Sequence, residues 1–289
     1  MTESFDRHRV AVDAADVADA PTASSPLPDT LRNLLLDKRL VFSVTTGRSG
    51  TGYLARLLDM LPGVGAFHEP EPKFSHAMRQ VQDDPELARR FWLEYKLPAI
   101  AGVPDKVYIE TSHLFCKGFV EPFLEFGLPS DLILLERDPS KVALSLYQLN
   151  TVPGRSGEGM RFLVHPGDPG VLPLPDWEEL NDYQLCYWYC LEIGRRAREY
   201  ERRFRDAGAR VVRATLDELT TEAGFRELLT ALDLPDPDPL STRLIRDVRG
   251  ERVNVKKGTK DHHRLPAPAD PFALEQEVLL RTGSEAGGA

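Results

Sequence analysis

The sequence predicts an α/β fold: a three-layer sandwich in which helices cover both faces of a mostly parallel central sheet. Three observations lead there. Short β-rich apolar runs alternate with stretches of helical spacing along most of the chain, the order that builds strand–helix–strand units. The run Leu40–Thr45 is nearly continuous in apolar character, as buried central strands are, and leads through a glycine-rich turn into Tyr53, Leu54, Leu57, Leu58 and Leu61 at helical intervals. The length, 289 residues with 42% hydrophobic, suits one large domain and is marginal for two.

Taken in order, residues 1–27 are rich in Ala, Asp, Ser, Thr and Pro and read as a flexible tail. Residues 28–38 suit a short helix with Leu31, Leu34 and Leu35 on one side. The pattern predicts strands over 40–45, 64–68, 107–111, 131–136 and 209–214. Between them it predicts helices over 71–82, 85–95, 120–126, 139–149 and 182–204. Residues 151–176 are rich in Gly and Pro without periodicity, which predicts a long lid or binding loop. Residues 28–282 are expected to form the single domain, with 283–289 a frayed tail.

Bulk properties exclude several classes. The net charge is -9 with no block of basic residues, which argues against a nucleic-acid surface. No segment approaches the ~20 apolar residues of a membrane span. The N-terminus carries Asp, Glu and Arg without an apolar core, so no secretory signal is expected. Three cysteines, Cys116, Cys186 and Cys190, are an odd and low count, which points to a reducing, cytoplasmic setting rather than a disulfide framework. Cys186 and Cys190 share a helical face, but no further ligand lies near in sequence, so no metal site is expected. The 27 Arg against 9 Lys, with many Ala and Leu, fit a GC-rich bacterial genome.

The loop Thr46-Gly47-Arg48-Ser49-Gly50-Thr51-Gly52 carries the chemistry. A loop that leaves a strand and opens a helix presents backbone N–H groups at the positive helix end, an anion site. Gly47, Gly50 and Gly52 let a ligand approach the backbone. Arg48 adds a fixed cation with bidentate capacity. Ser49 and Thr51 add hydroxyls that can bind or cap, and Tyr53 follows in the first turn. A Walker loop would place Lys and Ser/Thr after the last glycine; here Tyr53 and Leu54 stand there. An ordinary tight turn is the plainer alternative.

The stretch VFSVTTGRSGTGYLARLL, residues 41–58, resembles the 5′-phosphosulfate loop of sulfotransferases that use 3′-phosphoadenosine-5′-phosphosulfate (PAPS). A second stretch, LILLERDPSKVALSLY at 132–147, is similar to that family's other signature, a strand leading into Arg-Asp-Pro and a serine-bearing helix. The resemblance implies a P-loop-like fold and PAPS as donor; because transfer of this kind rests mostly on positioning and electrostatics, no metal is expected. It also implies that Arg137 and Ser145 hold the donor's 3′-phosphate. RVNVKKGTKDHHR, residues 252–264, lies where the family has a basic glycine-containing loop, which implies phosphate contacts from Lys256, Lys257 and Gly258. Asp138 and Pro139 read as an ordinary helix cap and first helical residue.

Transfer to a hydroxyl also needs a base. Glu69, in His68-Glu69-Pro70-Glu71, lies in the region where carbohydrate-modifying members carry a catalytic carboxylate; Glu69 and Glu71 would equally suit a helix start. His113 is the rival, because cytosolic members use a histidine after a corresponding strand. Glu110 could orient another residue. Tyr147 and Trp177 could line an acceptor pocket or pack in the core. The expected activity is sulfuryl transfer from PAPS to a carbohydrate or small natural product. A P-loop small-molecule kinase and a non-catalytic nucleotide-binding protein are the alternatives.

Overall fold

The structure, a computed structural model, describes residues 26–235, 237 and 265–284. Among these, five strands form one sheet: β1 (Arg39–Val44), β2 (Val64–His68), β3 (Val107–Thr111), β4 (Ser130–Glu136) and β5 (Val211–Thr215). Their order is β2-β3-β1-β4-β5 and every neighbouring pair is parallel. Parallel neighbours need crossovers, and the helical stretches supply them. β1 is central, with Phe42 opposite Glu110 on one side and Leu132 on the other.

Period-two alternation along β1 creates the three layers. Leu40, Phe42 and Val44 point into one apolar cluster, and Val41 points into the other. On the first face Phe42 stacks on Phe115 at 4.7 Å and meets Phe123 edge-on at 4.9 Å. That face is covered by α7 (Pro139–Gln148) and α9 (Asp182–Asp206), the latter opened by a reciprocal Asn181/Gln184 cap. The second face packs Val41, Ile109 and Ile133 against Leu54 and Leu57 of α2 (Thr51–Leu58) and Leu228 of α11 (Glu222–Ala231).

Several elements differ from the sequence pattern. The stretch 71–82 is a 3-10 turn at Phe74–His76 followed by α3 (Met78–Asp83). Pro72 disfavours helix in the residue before it, so the helix starts late. The stretch 85–95 is α4 (Glu86–Phe91), continued by a wide π turn at Trp92–Lys96 into α5 (Leu97–Ala101). Pro98 has no N–H to return to the carbonyl four residues back, and the turn widens immediately before it.

Residues 151–176 are not an open loop. They contain α8 (Gly157–Phe162), capped by Ser156, and bury Val152, Leu163, Val164 and Leu174. Arg155 ties the segment to α9 by donating to Asp182 at 2.7 Å and to the Leu180 carbonyl at 2.7 Å. The tail ends earlier than its composition suggests, because Leu27 is buried in the core. The short helix α1 (Asp29–Leu36) forms and buries Leu35 with Leu31 packed against the core, whereas Leu34 is exposed rather than on their side, and α6 (Val120–Glu125) follows β3. Helices α10 (Leu216–Leu219), α11 and the last helix, Pro271–Thr282, complete the fold. The first of these carries a capping box, Thr215 with Glu218, a signal present in the sequence. No helix among the described residues is long and apolar enough to cross a membrane.

Candidate functional site

The carboxyl ends of four adjacent strands bring the candidate residues to one edge of the sheet. Arg48 follows β1, Glu69 follows β2, His113 follows β3 and Arg137 follows β4. Chain order reverses across β1, and ligands of open α/β sheets sit at such a point.

The loop after β1 is a tight cradle. Gly47, Arg48 and Gly50 all take left-handed backbone conformations, at φ 81°, 59° and 93°. Gly50 is the N-cap of α2 and, among the described residues, no side chain caps that end. Neither Ser49 nor Thr51 caps the helix through its side chain, which departs from the capping role that they suggest in sequence. Ser49 instead turns inward. Its buried hydroxyl bonds that of Thr45 and donates to the Gly47 carbonyl at 3.2 Å, so it braces the loop. Thr51 is buried and its carbonyl accepts from the Thr111 hydroxyl at 2.9 Å. The side chain of Tyr53, in the first turn of α2, is buried in the second apolar cluster, so any part it has in the loop's ligand site is through its backbone N–H.

Arg48, Arg137 and Ser145 come together. Arg48 Nε donates to Ser145 Oγ at 3.2 Å, and Arg137 donates to the Arg48 carbonyl. Asp138 caps α7 by accepting from the Lys141 N–H at 2.8 Å, and Pro139 occupies its first turn. Two guanidinium groups, a hydroxyl and a helix N-terminus at one mouth can hold a ligand with more than one anionic group.

The two candidate bases meet each other. His113 Nε2 lies 3.4 Å from Glu69 Oε1. His113 and His68 flank the cradle: a Cβ added to Gly47 would lie 3.2 Å from the His113 ring, and one added to Gly52 would lie 3.4 Å from the His68 ring. Burial first, then the charges of Lys117, His68 and Arg48, push the His113 pKa well below the ordinary imidazole value. His113 is therefore a neutral hydrogen-bonding group at neutral pH.

Glu69 holds an unusual backbone. Among the described residues, five non-glycine positions have positive φ: Arg48, Glu69, Asn150, Asp176 and Asp233. Asn and Asp tolerate that region; Arg and Glu do so at a cost, and such strain gathers at functional sites. The chain after Glu69 is fixed by Lys96, whose ammonium donates to the Pro70 carbonyl at 3.2 Å and the Pro72 carbonyl at 3.0 Å. Lys96 is itself buried against Glu110 at 2.8 Å, and Glu110 also accepts from the Tyr108 hydroxyl at 2.7 Å. Burial raises the Glu110 pKa, and the adjacent Lys96 ammonium opposes that. Glu110 thus orients Lys96, and Lys96 the Glu69 segment; the role of Lys96 was invisible in sequence.

The fold is sulfotransferase-like. It is similar to the solved Sulfotransferase Domain from the Curacin Biosynthetic Pathway, with a TM-score of 0.51 over 86% of this chain and 99% of that one, at 14% sequence identity. Identity that low is a likeness of fold. No family model matches the chain, and no curated protein matches it.

Within the sulfotransferase-like frame, Tyr147 lines an open cleft of about 460 Å³ with Arg155, Asp182, Tyr183 and Leu274. Trp177 packs on the His165 ring at 6.0 Å instead. Lys256, Lys257 and Gly258 lie outside the described residues.

Gly47 offers a direct test of the cradle. Its φ of 81° and the 3.2 Å approach of His113 both oppose a side chain, whereas Gly63 has a similar φ of 71° and open space around it. Gly47→Ala is expected to cost about 1–3 kcal/mol, and more than Gly63→Ala, in chemical denaturation. Equal costs would remove the steric contribution of His113.

Proposed function

We propose that this chain is a sulfotransferase that moves a sulfuryl group from PAPS to a hydroxyl of a carbohydrate or small natural product. The observation that carries the reading is the meeting of Arg48, Arg137 and Ser145 at the mouth of the loop, from positions far apart in sequence. The two motifs that hold these residues resemble the family's donor-binding motifs, and the likeness of fold supports the same class.

In this reading the donor supplies an activated sulfuryl group and two separate anionic ends. Arg48 and the N–H groups opening α2 take up the charge that develops on the leaving 5′-phosphate. Arg137 and Ser145 hold the 3′-phosphate. Glu69 accepts the proton of the acceptor hydroxyl as that oxygen bonds to sulfur. His113, at 3.4 Å from Glu69, orients the carboxylate. As in phosphoryl transfer, positioning and electrostatics do most of the work, and no metal step is invoked. Three buried free thiols support a reducing, cytoplasmic setting.

Calorimetric titration tests the donor. We expect 3′-phosphoadenosine-5′-phosphate to bind without magnesium. Arg137→Ala is expected to weaken it by about 1.5–3 kcal/mol, the worth of a hydrogen bond to a charged group. Ser145→Ala should weaken it less. Tighter, magnesium-dependent binding of ATP would overturn the reading in favour of a kinase. A screen of sugars, phenols and lipid alcohols with labelled donor identifies the acceptor.

A further inference from the structure

Lys117 is a buried cation that the proposed chemistry leaves without a task. It lies four residues after His113, and its side chain is wholly inaccessible. Its ammonium sits 2.9 Å from His113 Nδ1, donates to the Phe162 carbonyl at 2.5 Å and lies 4.9 Å from the centre of the Tyr189 ring. An ammonium has three donors and no acceptor, so in its contact with Nδ1 Lys117 is the donor. Burying a cation is costly, and an apolar side chain could occupy the same space without that cost. The cost shows in its ionisation: burial draws the Lys117 pKa down to about 7, against the opposing influence of Cys116 and Glu69 and with a smaller lowering from Arg196.

We infer that Lys117 is a positioning residue that sets the tautomer of His113. A neutral imidazole carries one N–H. When Lys117 donates to Nδ1, the proton must reside on Nε2, the nitrogen that faces Glu69 at 3.4 Å. His113 then donates to Glu69 and cannot accept a proton at that nitrogen. The role of base falls to the carboxylate, and the imidazole fixes its orientation. The segment 151–176 takes part, because the Phe162 carbonyl accepts from the same ammonium that contacts Nδ1. The assignment of a base rests on the sulfotransferase reading; the tautomer does not.

The two are separable by experiment. Imidazole ¹⁵N–¹H correlation spectra of the full chain in slightly acid solution, with His113 assigned from a His113→Gln spectrum, report the tautomer without any substrate. We expect Nδ1 unprotonated and Nε2 protonated in the native protein, and a population with Nδ1 protonated in Lys117→Met. A native His113 with its proton on Nδ1, or on both nitrogens, would overturn the inference, as would an unchanged tautomer in Lys117→Met. With PAPS and a competent acceptor, Lys117→Met should lower kcat at least about tenfold, within the range of general-base effects, and leave donor affinity as it was. Lys117→Gln, which keeps an N–H donor, should recover part of that loss; no recovery would count against the donor role. Failure of PAPS to bind, with the tautomer as expected, would sink the sulfotransferase reading and leave the Lys117 assignment standing.

Discussion

Glu69→Gln is expected to lower sulfuryl transfer by about 10²–10⁴-fold, the range attributed to a positioned general base, while donor binding stays unchanged. The amide keeps the size and the hydrogen-bonding oxygen of the carboxylate, so His113 retains a partner, but it cannot take a proton at neutral pH. The separation of effects follows from geometry. Arg48, Arg137 and Ser145 meet one another, whereas Glu69 meets His113 from the loop after β2. Parallel measurement of kcat and of donor affinity checks the prediction. Undiminished turnover in Glu69→Gln would remove the carboxylate from the reaction and leave Glu69 as a strained structural residue, its φ of 49° unexplained by chemistry.

The second large effect concerns stability. Lys96→Met is expected to destabilise the fold by about 3–5 kcal/mol, because it leaves the buried Glu110 carboxylate without its cation. Glu110→Leu should cost a similar amount by stranding Lys96. Replacing both together should cost less than either change alone, since an apolar pair leaves no unpaired charge. Chemical denaturation of the three variants forms a double-mutant cycle. Additive costs in that cycle would show that the two groups act separately. Activity should follow a different order. The double variant regains stability but not the donor to the Pro70 and Pro72 carbonyls, so the left-handed turn at Glu69 is no longer held. We therefore expect the double variant to stay well below native kcat despite its recovered fold, with donor affinity unaffected.

The two experiments address one device. Left-handed backbone at Arg and Glu is unfavourable, and surrounding structure must over-determine it. At Arg48 the neighbours are glycines with positive φ and the Thr45–Ser49 hydroxyl pair. At Glu69 the restraint comes from Lys96, donated across from the π turn that precedes Pro98. The wide turn and the buried pair are thus linked to the position of the proposed base, although neither touches it.

How much of this was legible beforehand varies with the range of the interaction. The sequence by itself determined what depends on local order: alternating strands and helices, the buried β1, the glycine loop opening α2, and Asp138 and Pro139 starting α7. Period-two and 3.6-residue patterns and capping chemistry are short-range, so they read directly from neighbouring residues. It also named Arg48, Glu69, His113 and Arg137, because each directly follows a strand or lies in the loop beyond it. Only the tertiary structure decided how those residues combine. That Glu69 and His113 are partners rather than rivals depends on β2 and β3 lying side by side in register, His68 opposite Thr111. That Ser49 faces inward and Tyr53 sinks into the core depends on the turn geometry of the cradle, which composition does not reveal. Nothing in the sequence sets Lys96 or Lys117 apart from the other lysines. Burial turned both into fixed donors, because a cation removed from water must spend its hydrogens on the groups around it, here two carbonyls beside Glu69 and one nitrogen of His113.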